Sequence, residues 1–212
     1  MMVRIKICGL TTPDTVSSAA EAGATHVGFN FYPPSPRFVT ADLAGELAKV
    51  APNHVTKVGV FVDAEDALLE ANVAAGQLDA IQLHGKESRE RLEEIKARFG
   101  LPVWKVLSVE NAADVLAADA YRSLADLILF DTKTPKGALP GGMGMGFDWS
   151  LLESFDKSQA WGLAGGLDPA NVAHAIRATA APLVDTASGV ESSPGVKDPA
   201  KIAAFCAAAL SA

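Results

Sequence analysis

Short apolar runs recur along this chain, and a stretch with helical spacing of its apolar residues follows each of them. The alternation predicts strands near residues 3–8, 26–31, 56–62, 79–83, 102–107, 126–131, 159–164 and 182–186. It predicts helices near residues 12–22, 41–50, 64–75, 87–98, 110–119, 148–154, 168–177 and 198–210. Eight strand–helix units favour the α/β class and a single (β/α)8 TIM barrel over residues 1–212. An open parallel sheet is the alternative, because periodicity alone does not show that the sheet closes.

One segment departs from this alternation. Residues 132–146 are rich in glycine and proline and follow a predicted strand directly. A loop of this length inside a compact domain is usually a functional element or a disordered one. Because it begins next to Asp131, we expect it to be a lid.

Composition narrows the function classes. The 212 residues are 49% hydrophobic and carry a formal net charge of −7, which disfavours non-specific binding to nucleic acid. No apolar run is long enough for a membrane span, and no secretory signal is visible. The two cysteines do not form a disulfide framework, so we expect a cytoplasmic protein.

Three side chains with catalytic potential end predicted strands, at Cys8, His84 and Asp131. A parallel barrel gathers these strand ends at one mouth, where such enzymes keep their active sites. Cys8 is either a small buried apolar residue or a thiolate whose pKa is lowered by nearby backbone N–H groups. Asp131 either caps the following loop or acts as an acid, and His84 either carries a proton or bonds to the backbone.

A lysine and an aspartate are expected to pair inside the barrel. Strand alternation places Lys6 one layer deeper than Cys8, and a buried ammonium group needs a partner. Asp185 on the closing strand is the candidate. The sequence therefore favours a structural ion pair over a Schiff-base role for Lys6.

Anion-binding features lie at both ends of the chain. Gly165-Gly166 ahead of Asp168-Pro169, together with Ser188-Gly189, is typical of a phosphate site after the last two strands of a barrel. Arg37 stands in a proline-rich loop after the second strand. A guanidinium held in this way suits a carboxylate, and the alternative is a surface arginine.

Taken together, these segments closely resemble the phosphoribosylanthranilate isomerase family, the barrel enzymes of tryptophan biosynthesis. The resemblance runs in order over nearly the whole chain. The matching stretches are Lys6-Ile7-Cys8-Gly9, Ser35-Pro36-Arg37, Gln82-Leu83-His84-Gly85, Asp131, Gly141-Gly142, Phe147-Asp148-Trp149, Leu163-Ala164-Gly165-Gly166-Leu167 and Asp185 through Asp198.

The resemblance implies an Amadori rearrangement of N-(5-phosphoribosyl)anthranilate with no cofactor. No group of residues in the sequence has the spacing of a metal site. Asp131 would be the general acid and Cys8 the general base, and Arg37 would hold the anthranilate carboxylate. The phosphate would bind the two glycine loops, at Gly165, Gly166, Ser188 and Gly189. His84 and Asp185 are expected to contact the same small phosphosugar substrate.

The sequence leaves some alternatives to this function open. The chain departs from the family pattern at Met143-Gly144-Met145-Gly146, which bears on lid contacts. The rivals are a related aminoaldose–ketose isomerase, a metal-dependent pentose-phosphate epimerase and a non-catalytic barrel that binds a phosphate ligand. We expect a monomer without a nucleic-acid or membrane partner.

Overall fold

The computed structural model describes residues 3–133 and 146–212. Eight parallel strands form a closed barrel in chain order, and β1 pairs with β8 through the register Lys6 to Asp185. The predicted TIM barrel is therefore confirmed, and the open sheet is excluded. The strands are β1 Arg4–Cys8, β2 His26–Asn30, β3 Thr56–Phe61, β4 Ala80–Leu83, β5 Val103–Val109, β6 Leu127–Thr132, β7 Trp161–Leu163 and β8 Leu183–Thr186.

Helices surround the barrel and mostly follow the predicted order. Two predicted helices differ, because residues 117–121 and 149–154 adopt 3₁₀ geometry, which is common in segments this short. In the described ranges the α-helices are α1 Pro13–Glu21, α2 Ala41–Val50, α3 Asp66–Ala75, α4 Arg89–Phe99, α5 Ala112–Leu116, α6 Val172–Thr179 and α7 Pro199–Leu210. None of the helices in the described part of the chain is long and apolar enough to cross a membrane.

The start of α6 was predicted too early. The Asp168 carboxylate accepts hydrogen bonds from the backbone of Ala170 and Asn171, at 2.7 and 3.0 Å, and so stabilises a turn. The helix begins only at Val172. The positive end of this helix therefore lies several residues beyond the Gly165-Gly166 pair.

A hairpin that was not predicted follows β8. It consists of the antiparallel strands β9 Glu191–Ser193 and β10 Val196–Lys197. Gly195 in its turn packs so closely on the loop after β2 that a Cβ there would lie 2.5 Å from the Pro36 carbonyl oxygen. The hairpin thereby fixes the proline-rich loop that carries Arg37.

Two apolar layers hold the barrel together. The larger one lies between the strands and the helices and includes Ile5, Phe29 and Phe130. The smaller one fills the barrel interior from alternate strand positions, as expected for inward-facing residues. Its members are Val58, Ala80, Trp104, Val106, Leu127, Leu129, Ala164 and Leu183. Above this interior layer the strand ends carry polar side chains.

Candidate active site

The carboxyl ends of the strands surround a pocket with about 540 Å³ of empty space, its open mouth included. Its walls come from residues that lie far apart in the sequence. They include Cys8, Asn30, Arg37, Val60, Gln82, His84, Asp131, residues 164–167 and residues 185–188. All the predicted site residues except Gly189 line this pocket, so the expected convergence of strand ends is observed.

Cys8 is buried at the end of β1, with 9% of its surface exposed. Gly28 on β2 makes room for it, because a Cβ at Gly28 would lie 2.9 Å from the Cys8 sulfur. Burial raises the pKa of the Cys8 thiol, Asp185 raises it further, and the ammonium groups of Lys6 and Lys197 oppose this shift. The alternative in which backbone N–H groups lower this pKa is therefore excluded, because the desolvation of a thiolate outweighs the nearby positive charge.

Lys6 and Asp185 form the predicted ion pair. The Lys6 Nζ lies 2.9 Å from Asp185 Oδ2, and the lysine side chain is fully buried. Burial raises the pKa of Asp185, with Lys6 opposing the shift. Among the described residues, Asp185 Oδ1 has no hydrogen-bond partner, although it is buried. The carboxylate therefore pairs with Lys6 through one oxygen and lines the pocket as well.

His84 and Asp131 contact each other through their side chains. The Nε2 atom of His84 lies 3.2 Å from Asp131 Oδ2, and both side chains are largely buried. The other carboxylate oxygen of Asp131 accepts a hydrogen bond of 2.8 Å from the backbone of Thr132. The two residues therefore form one polar unit across the ends of β4 and β6.

Arg37 is 8% exposed, which excludes the surface-arginine alternative. Its Nε and Nη2 donate to the two oxygens of Glu191, at 2.7 and 2.8 Å. Lys197 lies on the other side of Glu191, with Nζ 2.6 Å from Oε1 and 2.8 Å from the Ala187 carbonyl oxygen. The guanidinium plane is thus fixed by the hairpin.

The electrostatics of this group favour an ionised Glu191. Burial opposes ionisation, but Arg37 and Lys197 together lower the pKa of the Glu191 carboxyl below its usual value. Glu191 and Lys197 were missed from the sequence, although the Pro-Gly pair in their hairpin is a recognisable turn signal.

The two glycine loops differ in what the glycines do. Gly165 and Gly166 line the pocket with φ of +86° and +66°, a backbone conformation that glycine adopts readily. Gly189 lies behind Ser188, and a Cβ there would be 2.0 Å from the Leu167 carbonyl oxygen. Its observed role is therefore close packing of the two loops, and phosphate binding by Gly189 stays a prediction.

Other polar residues of the pocket were not assigned from the sequence. Gln82 lies two residues before His84 and lines the same pocket, and its side chain is almost fully buried. Its Oε1 atom has no hydrogen-bond partner among the described residues. Asn30 and Thr186 also line the pocket. These three residues could have been identified from the sequence as polar residues at inward-facing positions near strand ends.

Residues 5–208 match the family model described as N-(5'-phosphoribosyl)anthranilate (PRA) isomerase. The chain belongs to the PRA isomerase family. The identification made from the sequence is confirmed, and so is the expected enzyme class, an isomerase.

Named relatives cover almost the whole chain. The N-(5'-phosphoribosyl)anthranilate isomerase of Paramagnetospirillum magneticum is 55% identical over 99% of this chain and 98% of its own length. That of Paracoccus denitrificans is 52% identical over the same shares of the two chains. These alignments cover all eight strand–helix units of the barrel.

Solved structures of PRA isomerases share the fold. The Thermotoga maritima enzyme has a TM-score of 0.86 and 38% identity, with both chains fully covered. A second, with a TM-score of 0.85, 37% identity and full coverage of both chains, was solved in complex with reduced 1-(o-carboxyphenylamino)-1-deoxyribulose 5-phosphate. The described pocket thus sits on the scaffold that binds this compound in a relative.

Proposed function

We propose that this chain catalyses the Amadori rearrangement of N-(5-phosphoribosyl)anthranilate to 1-(2-carboxyphenylamino)-1-deoxyribulose 5-phosphate in tryptophan biosynthesis. One observation carries the proposal. A thiol from β1 and a carboxyl group from β6 line the same pocket, between a buried arginine and a glycine loop. Membership of the PRA isomerase family and the ligand held by a structural relative support it.

Asp131 acts first, as the general acid. Its proton passes to the ring oxygen of the ribose while the aniline nitrogen pushes its electron pair toward C1, so that the ring opens to a Schiff base. The contact with His84 and the backbone hydrogen bond from Thr132 fix the carboxyl group in place. Such fixed geometry is what efficient proton transfer requires.

Cys8 then acts as the general base. Its thiolate removes the proton from C2 of the Schiff base, and the electron pair moves to form an enolamine, which tautomerises to the ketone. C1 is reduced and C2 is oxidised within one molecule, so the reaction needs no cofactor. The ammonium groups of Lys6 and Lys197 stabilise the thiolate against the cost of its burial.

The two ends of the substrate are anions, and the pocket offers a site for each. Arg37 would bind the anthranilate carboxylate, with Glu191 holding the guanidinium group from behind. The backbone at Gly165, Gly166 and Ser188 would bind the phosphate. Asp185 and Gln82 each present a buried oxygen that lacks a partner among the described residues, which suits the hydroxyl groups of the sugar.

The direct test is the loss of substrate fluorescence on addition of the purified protein. Turnover without added metal is the expected result. The rival reading, a phosphate-binding barrel without activity, predicts substrate binding with no decay of the fluorescence. Residues 134–145 of the expected lid, which include Met143 and Met145, lie outside the described residues.

We propose three further properties of the protein. Two free cysteines fit a reducing compartment, which favours the cytoplasm. We also propose that the protein is a monomer and binds no nucleic acid. A relative from Thermotoga maritima is described as dimeric, so light scattering of the purified chain is the decisive measurement of the oligomeric state.

Arg37→Ala should raise KM roughly 10- to 100-fold, because a hydrogen-bonded charged partner of the carboxylate is lost. Arg37→Lys keeps the charge but loses the forked geometry and should give an intermediate KM. The measurement is steady-state kinetics, with Arg98→Ala on the exposed face of α4 as the control. Unchanged KM and kcat/KM in Arg37→Ala would count against the assignment.

The dependence of kcat/KM on pH tests the acid–base pair. While Cys8 and Asp131 share one proton, the fraction of molecules with that proton on Asp131 and an ionised Cys8 does not vary with pH. Loss of this proton from Cys8 at high pH abolishes the reactive arrangement. Because burial raises the pKa of Cys8, we expect kcat/KM to stay level through neutral pH and to fall only above the usual range for a thiol.

A matched variant separates this explanation from the titration of other groups. Asp131→Asn carries no shared proton, so its residual kcat/KM should rise with pH over the range in which the wild type falls. A wild-type fall centred at or below the ordinary thiol pKa, about 8.5, would contradict the burial argument.

A further inference from the structure

We propose that Lys105 and Glu87 are positioning residues that hold His84 against Asp131. The inference rests on the proposed function, because it assumes that Asp131 is the general acid. Neither Lys105 nor Glu87 lines the pocket, and the mechanism described above does not use them.

The pair is buried to an unusual degree for two charged side chains. Lys105 Nζ lies 2.7 Å from Glu87 Oε2, and the side chains are 3% and 2% exposed. Desolvation of two charges costs several kcal/mol per ion, roughly what their attraction returns, so such a pair is weak evidence for stability. The role of this ion pair must therefore be sought in the groups that it contacts.

Both charges are bound to the backbone that follows His84. The Gly85 N–H donates to the two carboxylate oxygens of Glu87, each at 3.0 Å. The Gly85 carbonyl oxygen accepts a hydrogen bond of 2.8 Å from Lys105 Nζ. Glu87 thus holds the peptide group between His84 and Gly85, and Lys105 holds the peptide group that follows Gly85.

The same carboxylate joins the loop after β4 to the loop after β3. Glu87 Oε1 accepts a hydrogen bond of 2.9 Å from the backbone of Asp63. Asp63 in turn accepts one of 2.7 Å from the backbone of Lys86. The contact is so close that a Cβ on Gly85 would lie 2.5 Å from Asp63 Oδ1. These constraints leave the chain one path out of β4.

The path of the backbone sets where the imidazole lies. His84 lies between the last position of β4 and Gly85, whose backbone is held by Glu87 and Lys105. The Nε2 atom of His84 is 3.2 Å from Asp131 Oδ2. Displacement of a reacting group by about 1 Å can lower a rate by about 100-fold. Loss of the Lys105–Glu87 pair should therefore reach Asp131 through a shift of His84, although neither Lys105 nor Glu87 lines the pocket.

A double-mutant cycle on kcat tests this. Lys105→Met should lower kcat by roughly 10- to 100-fold with little change in KM, and His84→Asn should lower kcat by at least as much. The kcat of Lys105→Met combined with His84→Asn should be no lower than that of His84→Asn alone, because the Lys105–Glu87 pair acts only through the imidazole. A kcat of Lys105→Met equal to that of the wild type, or effects that multiply in the double variant, would overturn the proposal.

Controls separate positioning from stability. Leu92→Ala empties a fully buried position on α4 and should lower the unfolding temperature without lowering kcat of the folded enzyme. If Lys105→Met does not fold, Lys105→Met with Glu87→Gln removes both charges and leaves no unpaired ion buried. This variant should show the same loss of kcat, and a wild-type kcat in it would overturn the proposal.

The outcome also distinguishes this inference from the proposed function. If Asp131→Asn and His84→Asn lower kcat while Lys105→Met does not, the positioning role alone is wrong. If the wild type has no isomerase activity, or Asp131→Asn keeps full kcat, both are wrong.

Discussion

Cys8→Ala is expected to lower kcat by about 10²- to 10⁴-fold, the range found for a positioned general base, while the barrel stays folded. The alanine methyl group cannot accept the C2 proton, and the ring-opened Schiff base then has no base within reach. The thiol is small and lines the open pocket, so the loss of one sulfur atom leaves no enclosed cavity and costs little stability. Steady-state kinetics of the purified variant, with circular dichroism to confirm folding, measure both effects.

The chain offers a matched control in its other cysteine. Cys206 lies on α7 in the layer outside the barrel, and burial raises the pKa of its thiol to about 11. Cys206→Ala removes a buried thiol of the same size far from the pocket and should keep wild-type kcat. Near-normal turnover in Cys8→Ala would end the assignment of Cys8 as the base.

The strand pattern could be predicted because a parallel barrel buries its strands on both faces. Each strand then appears as a short apolar run, and a polar residue at its end stands out, as at Cys8 and Asp131. The helix boundaries were less accurate, because local side-chain hydrogen bonds decide them. The Asp168 carboxylate stabilises a turn where the sequence indicates a helix start.

Residues that act behind the pocket were harder to find. Lys105 interrupts an apolar strand just as Lys6 does, so it could have been recognised as a buried cation that needs a partner. Its partner could not, because Glu87 lies in the charged segment 86–94, which has the composition of an exposed helix start. Nothing in that segment shows that one carboxylate turns inward.

The pKa of the Cys8 thiol shows a different limit on what the sequence can predict. Its direction depends on how completely water is excluded from Cys8 and on where three charged groups lie around it. One of these groups, Lys197, belongs to the hairpin that was not predicted. The sequence could therefore identify the candidate base, but the sign of its pKa shift followed only from the three-dimensional structure.

Asp131→Asn is expected to have the second large effect, a fall in kcat of about 10²- to 10⁴-fold. The amide has nearly the same shape, can still accept the hydrogen bond from Thr132, and can still contact His84. It has no acidic proton to give to the ring oxygen, so the ribose ring opens slowly. The variant should therefore bind the reduced product analogue as tightly as the wild type does.

The control for Asp131→Asn lies just before the same strand. Asp126 precedes β6 at the opposite end of the barrel, where it accepts a hydrogen bond of 2.8 Å from the Val103 backbone. Asp126→Asn makes the same chemical change away from the pocket and should leave kcat unaltered. A substrate analogue that is already ring-opened no longer needs the acid, so Asp131→Asn should convert it at close to the wild-type rate. If the variant is equally slow with that analogue, Asp131 acts after ring opening, and the order of the two proton transfers proposed here is wrong.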